Sequence, residues 1–457
     1  MEAGKPNIAP WVRIALLIGS CFLLASTGWL SWLRCLVTLA GPEHAQSLTL
    51  VLSYLMQAAG IAAYMAASRG IDSAARTRIA LASIVGYAAL VMPATLASSL
   101  ATSLAFGFLA NILCGVMQGH YLARLAEAIA PERRGTAFGC AYGTSTIASW
   151  LLSTVHEGVL TQDLPCLVVC ALLTAASVAA TVLDMRTDSE APEDPDEHMP
   201  VNSLLILGCV TVAMASLVKG IGFGFPASDL ASGVNLELTR VFYGVGLAVA
   251  GIVFDLDRRV GMALCAASLA LPFLAMSLAS ANAPAMLLWS VEYALFGSFV
   301  VFRVTLLADL TASRGLPWAA GLGMLFGRVG DALSSWLGSS LDESSLALVA
   351  AATIAFAVSV TLMILLALRL YATEQQHDPP QRAEAELMAD FCVAHSLSMR
   401  ERDVLPLLLD GKTNAEIAAT LFVTERTVKY HVHNIMEKTN CASRKEVADL
   451  FITSTGR

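Results

Sequence analysis

The chain has 457 residues, of which 56% are hydrophobic and only 14% are charged, and its formal net charge at pH 7 is −8. Soluble globular proteins carry about 45–50% apolar and about 25% charged residues, so the composition excludes an ordinary soluble protein and favours a membrane protein.

The ten cysteines are scattered and form no paired Cys-x-x-Cys spacing, which predicts free thiols. We expect no metal site, no cofactor and no enzymatic activity.

Apolar runs of about 20 residues recur from Trp11 to Leu370, and each run is long enough to cross a ~30 Å hydrocarbon core as a helix. They predict an all-α membrane domain over residues 1–370, with an acidic linker at about 185–200 that divides the spans six and six. The twelve predicted spans are 11–33, 47–68, 79–99, 101–123, 136–155, 164–183, 201–222, 238–254, 260–280, 284–308, 317–338 and 345–370.

Arginine is distributed unevenly among the predicted loops. The loops after odd-numbered spans hold Arg34 and, at a helix edge, Arg240. Because cytoplasmic loops are enriched in Lys and Arg, this asymmetry predicts that both termini lie in the cytoplasm, with the domain in the cytoplasmic membrane. The loops after even-numbered spans hold Arg69, Arg76, Arg78, Arg133, Arg134, Arg186, Arg258, Arg259 and Arg314.

The two halves of the predicted membrane domain repeat a loop pattern. PERRGTAFGCAYG follows span four and SRGLPWAAGLG follows span ten, and both place Arg-Gly before small residues. GIVFDLDRRVG after span eight, with Gly251, Asp255, Arg258 and Arg259, resembles the loop signature of the major facilitator superfamily; SRGIDSAARTR after span two is a degenerate version. The resemblance implies a 6+6 bundle with a ligand site between its halves. A generic bundle with chance Arg-Gly loops is the alternative.

Ionisable residues inside the predicted spans are the candidates for ligand binding, because such residues are costly in a bilayer. Arg328 and Asp331 are spaced i, i+3 and can pair on one helix. We expect Arg124, Arg303 and Asp309, which lie near cytoplasmic span ends, to extend towards water. The candidate ligand-binding residues are His120, Glu292, Arg328 and Asp331.

The composition becomes polar after Leu370, which predicts a linker over residues 371–397 and a second domain over 398–457. Repeated capping patterns predict four short helices in this domain. Pro406 lies inside the first of them, where it removes a hydrogen bond. The helix-start patterns are Ser398 with Glu401, Thr413 with Glu416, Thr424, and Ser443 with Glu446, and Gly411 is placed to end the first helix.

The segment TERTVKYHVHNIMEK, residues 424–438, is amphipathic. Its apolar stripe, Val428, Val432 and Ile435, predicts a face towards a core. Its polar stripe can enter the ~12 Å major groove of DNA. Such a stripe is also found on ordinary solvated surfaces, and nine basic against eight acidic residues from 398 onwards give no broad basic footprint. The polar stripe consists of Arg426, Lys429, Tyr430, His433 and Glu437.

The tail as a whole resembles the LuxR-type helix-turn-helix domain. The matching elements are RERDVL, Gly411, TNAEIA, TVKYHVHNI and Ser-Arg-x-Glu at 443–446. The resemblance implies binding of double-stranded promoter DNA, with base reading by Lys429, Tyr430 and His433, and homodimerisation through the helix Ser443–Phe451. His433 departs from the Lys or Arg that would bind DNA more strongly. The predicted DNA-binding residues are Asn414, Thr424, Arg426, Thr427, Lys429, Tyr430 and His433.

Together the two parts predict a membrane-embedded, one-component bacterial transcription regulator. A small molecule would bind the membrane domain, and the tail would bind promoter DNA. The alternative is a secondary transporter of the major facilitator type with a regulatory DNA-binding tail. A third possibility is a helix-turn-helix that only holds a protein partner.

Overall fold

The computed structural model describes residues 9–154, 163–185, 201–229, 236–271, 285–340, 346–377, 388, 391–421 and 423–455. Within these ranges every regular element is helical and no strand occurs. The chain divides into two compact units, Met1–Arg369 and Leu370–Arg457. Residues 186–200 of the linker predicted at about 185–200 lie outside the described residues, as do residues 378–387, 389 and 390 of the linker predicted at 371–397. Residues 371–377 are helical.

The described part of the first unit is a bundle of long helices. Seven of its helical segments are long and apolar enough to cross a membrane. The helices are α1 (Pro10–Ala40), α2 (Pro42–Ser68), α3 (Ser73–Thr95), α4 (Leu100–Ala128), α5 (Pro131–Thr154), α6 (Asp163–Asp184), α7 (Val201–Asp229), α8 (Leu236–Leu256), α9 (Arg258–Ser268), α10 (Ala285–Ala312), α11 (Leu322–Ser340) and α12 (Leu346–His377).

These helices confirm a polytopic, all-helical membrane part, while the count of twelve spans stays a prediction. The span predicted at 317–338 was wrong at its start, because Pro317–Ala319 forms a 3-10 turn and α11 begins only at Leu322. Gly315 has a φ of 67°, and its N–H donates to the carbonyl of Ala312, which ends α10. The later part of the span predicted at 260–280 lies outside the described residues.

Helix pairs α5/α8 and α2/α11 join the first six helices to the last six. Glycines allow α5 and α8 to approach closely. A Cβ at Gly139 would lie 2.3 Å from the carbonyl oxygen of Leu247, and a Cβ at Gly251 would lie 2.3 Å from that of Gly135. Small residues of this kind let membrane helices bring their backbones into contact. The α5/α8 contact therefore has no room for side chains at these positions.

The second unit contains four described helices: α13 (Met399–Leu409), α14 (Asn414–Leu421), α15 (Glu425–Lys438) and α16 (Arg444–Thr455). α13 continues through Pro406 to Leu409. The four helices share one apolar core with a short helical stretch at 391–394. Its buried side chains are Phe391, Cys392, Leu397, Val404, Leu405, Leu408, Ile417, Ala418, Val428, Val432, Ile435 and Val447.

Left-handed residues end two helices of this unit. Gly411 has a φ of 75°, and the next N–H, of Lys412, donates to the carbonyl of Leu407 at 3.1 Å. Asn440 has a φ of 54° and has the same role after α15. Both follow the pattern of a left-handed C-terminal cap, and the predicted end of α13 at Gly411 is therefore confirmed.

We predict that Gly139→Ala lowers the melting temperature of the purified chain in detergent micelles. The added methyl group meets the backbone of α8, so the helices must separate, at a cost of about 1–3 kcal/mol.

The matched control is Gly208→Ala. A Cβ at Gly208 would lie 3.5 Å from the side chains of Leu306 and Leu310, an ordinary van der Waals distance. We expect no loss of stability there, and an equal loss in both variants would contradict the close packing of α5 against α8.

Candidate DNA-binding helix and buried ionic cluster

The polar face of α15 is exposed to solvent, and its apolar face is buried. Val428 and Ile435 have no exposed surface and Val432 is 5% exposed, as the apolar stripe predicts. Tyr430 is 63% exposed on the opposite side. Arg426, Lys429 and His433 are exposed as well. The structure therefore gathers the predicted base-reading side chains on one accessible helix face.

The start of α15 is held by two threonines. The N–H of Thr427 donates to Oγ1 of Thr424 at 3.3 Å, and the two hydroxyl oxygens lie 2.8 Å apart. Thr424 is therefore the N-cap of α15, as its residue type predicts. Both threonines lie at the helix N-terminus, a position that suits phosphate oxygens because of its free N–H groups and dipole.

Two contacts on this surface have no counterpart in the sequence prediction. Lys429 forms an ion pair with Glu425, one turn earlier on α15, with Nζ and Oε1 3.1 Å apart. Asn414 is half-buried, and its side-chain oxygen accepts a hydrogen bond from Arg444, whose other terminal nitrogen donates to the carbonyl of Lys412 at 3.1 Å. Arg444 thus fixes the orientation of Asn414.

An ion pair with one buried partner anchors α15, the proposed recognition helix, to α13. Nζ of Lys438 lies 2.6 Å from Oε2 of Glu401, which is 3% exposed, and 3.1 Å from the carbonyl oxygen of Ser396. Glu401 also accepts a hydrogen bond from the N–H of Ser398 at 2.7 Å, as the capping pattern predicts. Burial raises the pKa of Glu401, but the hydrogen bonds from Lys438 and Ser398 outweigh it and hold this pKa below its usual value.

Asp331 is the centre of an ionic cluster inside the first unit. It is 3% exposed, and one of its oxygens lies 3.2 Å from Nη1 of Arg303 on α10. Lys219 on α7 lies 3.6 Å from its other oxygen. The predicted partner on the same helix, Arg328, is the most distant at 3.9 Å. Three helices therefore meet at one carboxylate. We call these four residues the Asp331 cluster.

The expectation that Arg303 and Arg124 extend towards water is wrong. Arg303 is 2% exposed, and it lies against Gly327, where a Cβ would come within 2.7 Å of Nη1. Arg124 is 7% exposed because it pairs with Glu127 at 2.8 Å and Asp184 at 2.6 Å. Buried carboxylates compensate the charge of both arginines, so neither side chain has to extend to water.

The other two candidate ligand-binding residues lie apart from these contacts. Nδ1 of His120 is 3.3 Å from the hydroxyl of Tyr64, which places it between α4 and α2. Glu292 on α10 is 1% exposed, and within the described residues neither of its carboxyl oxygens has a hydrogen-bond partner. The structure thus brings Arg328 and Asp331 together but does not join them to His120 or Glu292.

The segments PERRGTAFGCAYG and GIVFDLDRRVG take part in a second ionic network, at the end of the bundle where α4 meets α5. Arg134 on α5 lies 2.7 Å from Asp309 on α10, and Arg258 lies 3.1 Å from the same carboxylate. Asp255 accepts hydrogen bonds from the N–H groups of Gly135 at 2.8 Å and Thr136 at 2.6 Å. Asp309, expected to extend towards water, instead connects the two halves.

Comparison with known proteins separates the two units. Residues 395–451 match GerE, the model of bacterial regulatory proteins of the luxR family. The uncharacterized transcriptional regulatory protein YhcZ of Bacillus subtilis is 40% identical over 75 residues, which cover 16% of this chain and 30% of YhcZ. The spore germination protein GerE of Bacillus subtilis is 44% identical over 50 residues, which cover 11% of this chain and 68% of GerE. The chain thus spans less than a third of the length of YhcZ.

The structure also resembles that of the human organic anion transporter MFSD10 (TETRAN). The TM-score is 0.56, and the match covers 80% of this chain and all of the transporter, at 15% identity. At this identity the likeness concerns the fold alone, and it shows that the membrane part has a helical fold similar to that of this transporter.

The fold and the exposed helix thus define a membrane protein that carries a DNA-binding regulatory unit. Through that unit the chain belongs to the luxR family of bacterial regulatory proteins.

We predict that Lys438→Ala lowers the free energy of unfolding of the second unit, residues 370–457, by about 1–3 kcal/mol, because it leaves Glu401 buried without its cation. Since the folded-state pKa of Glu401 is depressed, its stabilising effect is present above the ordinary glutamate pKa of about 4.3 and is lost as the pH falls through the lower, folded value. Urea denaturation between pH 3 and 7 measures both effects.

Arg400→Ala is the matched control, because Arg400 pairs with Asp403 on the surface. The side chain of Arg400 is 79% exposed and that of Asp403 is 45% exposed. We expect a loss below about 1 kcal/mol. If Lys438→Ala is as mild as this control, or leaves the acid dependence unchanged, the anchoring role of the Lys438–Glu401 pair is wrong.

Proposed function

We propose that the protein is a membrane-embedded, one-component transcription regulator of bacteria. Its first unit binds a small molecule, and its second unit binds promoter DNA. The observation that carries the DNA-binding part is the exposed polar face of α15 on a helix-turn-helix unit of the luxR family. Of the two relatives reported above, one is named as a transcriptional regulatory protein and the other as a spore germination protein.

Recognition of DNA follows from the chemistry of the exposed face. Lys429 donates to guanine O6 and N7, Tyr430 and His433 contact neighbouring base edges, and Arg426 reaches the backbone. Thr424, Thr427 and Asn414 set the register through phosphate contacts. The Lys429–Glu425 pair must loosen when Lys429 turns to a base, which lowers affinity and penalises wrong sequences.

The bound form is a homodimer that contacts two half-sites through two copies of α15. We assign the pairing surface to the helix Ser443–Phe451. Within one chain the ring of Phe451 already packs against Phe391, with the centroids 5.2 Å apart. The exposed positions of α16, among them Lys445 and Glu446, are therefore the ones left for a second copy.

Signal detection belongs to the membrane unit, with twelve spans and both termini in the cytoplasm. A ligand shifts the conformations of this unit only through a difference in its affinity for two states. The proposed ligand-binding residues are His120, Glu292, Arg328 and Asp331, and the Asp331 cluster lies where helices of the second half meet. The network of Arg134, Arg258 and Asp309 connects the halves and has to rearrange when they move apart.

A secondary transporter with a DNA-binding tail is the second candidate, favoured by the fold shared with a protein named as an organic anion transporter. Glu292 would then be a proton or ion site. Uptake of a labelled ligand into vesicles that contain the full chain, abolished by Glu292→Gln, would favour this candidate.

We predict that Lys429→Ala lowers the discrimination of the full chain, in detergent micelles, between its own promoter region and a matched sequence with one altered guanine. The loss is about 1–3 kcal/mol if the lysine donates to that guanine. Fluorescence anisotropy of labelled duplexes measures both affinities. Arg400→Ala removes an exposed cation of α13 instead and should leave the ratio of the two affinities unchanged. No binding to either duplex at low salt would contradict a DNA-binding function.

We predict that His433→Lys tightens DNA binding and steepens its dependence on salt. A lysine adds a permanent positive charge to the exposed polar face of α15, and the neutralisation of one more phosphate changes the slope of log K against log salt by about −0.9. His433→Gln keeps a hydrogen-bonding side chain without the charge and should leave the slope unchanged. Equal slopes for all three proteins would show that position 433 does not contact DNA.

A further inference from the structure

The Asp331 cluster contains more positive charge than Asp331 can neutralise. Even with Lys219 left aside, the guanidinium groups of Arg303 and Arg328 share one carboxylate. Arg303 is 2% exposed, and the side chain of Arg328 is 12% exposed. Transfer of an ion into a medium of low polarity costs several kcal/mol unless an opposite charge compensates it. The excess charge therefore favours an additional anion at this place.

Two hydrogen-bond donors of the cluster point to the same conclusion. Within the described part of the chain, the buried Nε atoms of Arg303 and Arg328 have no hydrogen-bond acceptor. Buried donors are almost always paired in native proteins, because an unpaired one costs about 1–3 kcal/mol. An arginine offers Nε and Nη donors in a planar fork that matches a carboxylate.

Aromatic rings surround this excess charge. The guanidinium of Arg328 lies over the ring of Tyr54, with its central carbon 4.7 Å from the centroid, and that of Arg303 lies 5.4 Å from the ring of Phe299. Such stacking holds a guanidinium in one plane while its edge stays available for hydrogen bonds.

We propose that the Asp331 cluster binds a small organic carboxylate, whose oxygens accept from the Nε–H groups of Arg303 and Arg328. Asp331 holds the cations together when the ligand is absent, and Lys219 adds to the attraction. The inference rests on the sensory role proposed for the membrane unit and names the chemical class of its signal. Glu292, which no hydrogen bond connects to these cations, has no part in it.

The test compares carboxylates with their uncharged amides. The purified full chain in detergent micelles is melted with benzoate, phthalate, succinate or citrate, and in parallel with benzamide and succinamide, at constant ionic strength. We expect at least one carboxylate to raise the melting temperature in a saturable way, while its amide has no effect. If no carboxylate does so, or the amides act equally well, the proposal is overturned.

Two variants separate binding from folding. Arg328→Gln should weaken binding of the active carboxylate by about thirtyfold or more, as expected for the loss of one partner of a buried charge pair. Asp331→Asn should lower the melting temperature of the ligand-free chain and yet tighten carboxylate binding by about tenfold, because it removes the competing negative charge. If Asp331 has only a structural role, Asp331→Asn lowers both the melting temperature and the affinity for the carboxylate. Weaker carboxylate binding in Asp331→Asn therefore overturns the proposal.

Asp72→Asn is the matched control, because it makes the same chemical change at the exposed cap of α3, where asparagine also caps well. It should leave carboxylate binding unchanged. Promoter binding by the same preparation separates this proposal from the proposed function. A carboxylate that binds without changing DNA affinity supports the site and contradicts the sensory role. An uncharged compound that changes DNA affinity, where no carboxylate binds, supports the regulator and overturns the carboxylate proposal.

Discussion

The low polarity of a bilayer makes an uncompensated buried charge costly, and Asp331 is the carboxylate around which cations from three helices of the membrane unit gather. Its contacts with Lys219, Arg303 and Arg328 tie α7 and α10 to α11. Removal of that carboxylate would leave three cations repelling one another among apolar helices. The same cluster therefore links three helices, and the anion proposed to bind there would change the charge balance that holds them together.

The stability of the second unit has a different physical basis. It is small and polar, so its stability depends on one apolar core and on well-made helix ends. The Lys438–Glu401 pair holds the C-terminal end of α15 against α13, and Thr424 caps the N-terminal end of α15. With both ends fixed, the side chains between them are presented on a rigid helix, which base recognition requires. Under the proposed function, a change of shape in the membrane unit controls the access of this rigid helix to DNA or to a second copy of the chain.

Sequence periodicity and capping chemistry were sufficient to predict most of the second unit, because local rules set them. Val428, Val432 and Ile435 are buried as their spacing predicts, and Gly411 ends α13. The i, i+3 pair of Arg328 with Asp331 was predictable, because it lies within one helix. The other ionic partners were not, because they depend on which helices meet in space. Arg303 pairs with Asp331, 28 residues away, and Asp309 joins Arg134, 175 residues away. Exposure of α15 was expected from its polar stripe, but the pairing of Asn414 with Arg444 needed the three-dimensional arrangement.

Under the proposed function, a protein held in the membrane binds specific DNA sites through its second unit. Cross-linking of DNA to the tagged full chain in cells, followed by recovery from the membrane fraction and sequencing, tests this claim directly. The reference is a chain that ends at residue 397, before the helix-turn-helix. We expect the full chain to enrich a small set of sites that share a two-fold-symmetric motif, and the shortened chain to enrich none. If both chains recover the same DNA, the protein is not a membrane-embedded regulator.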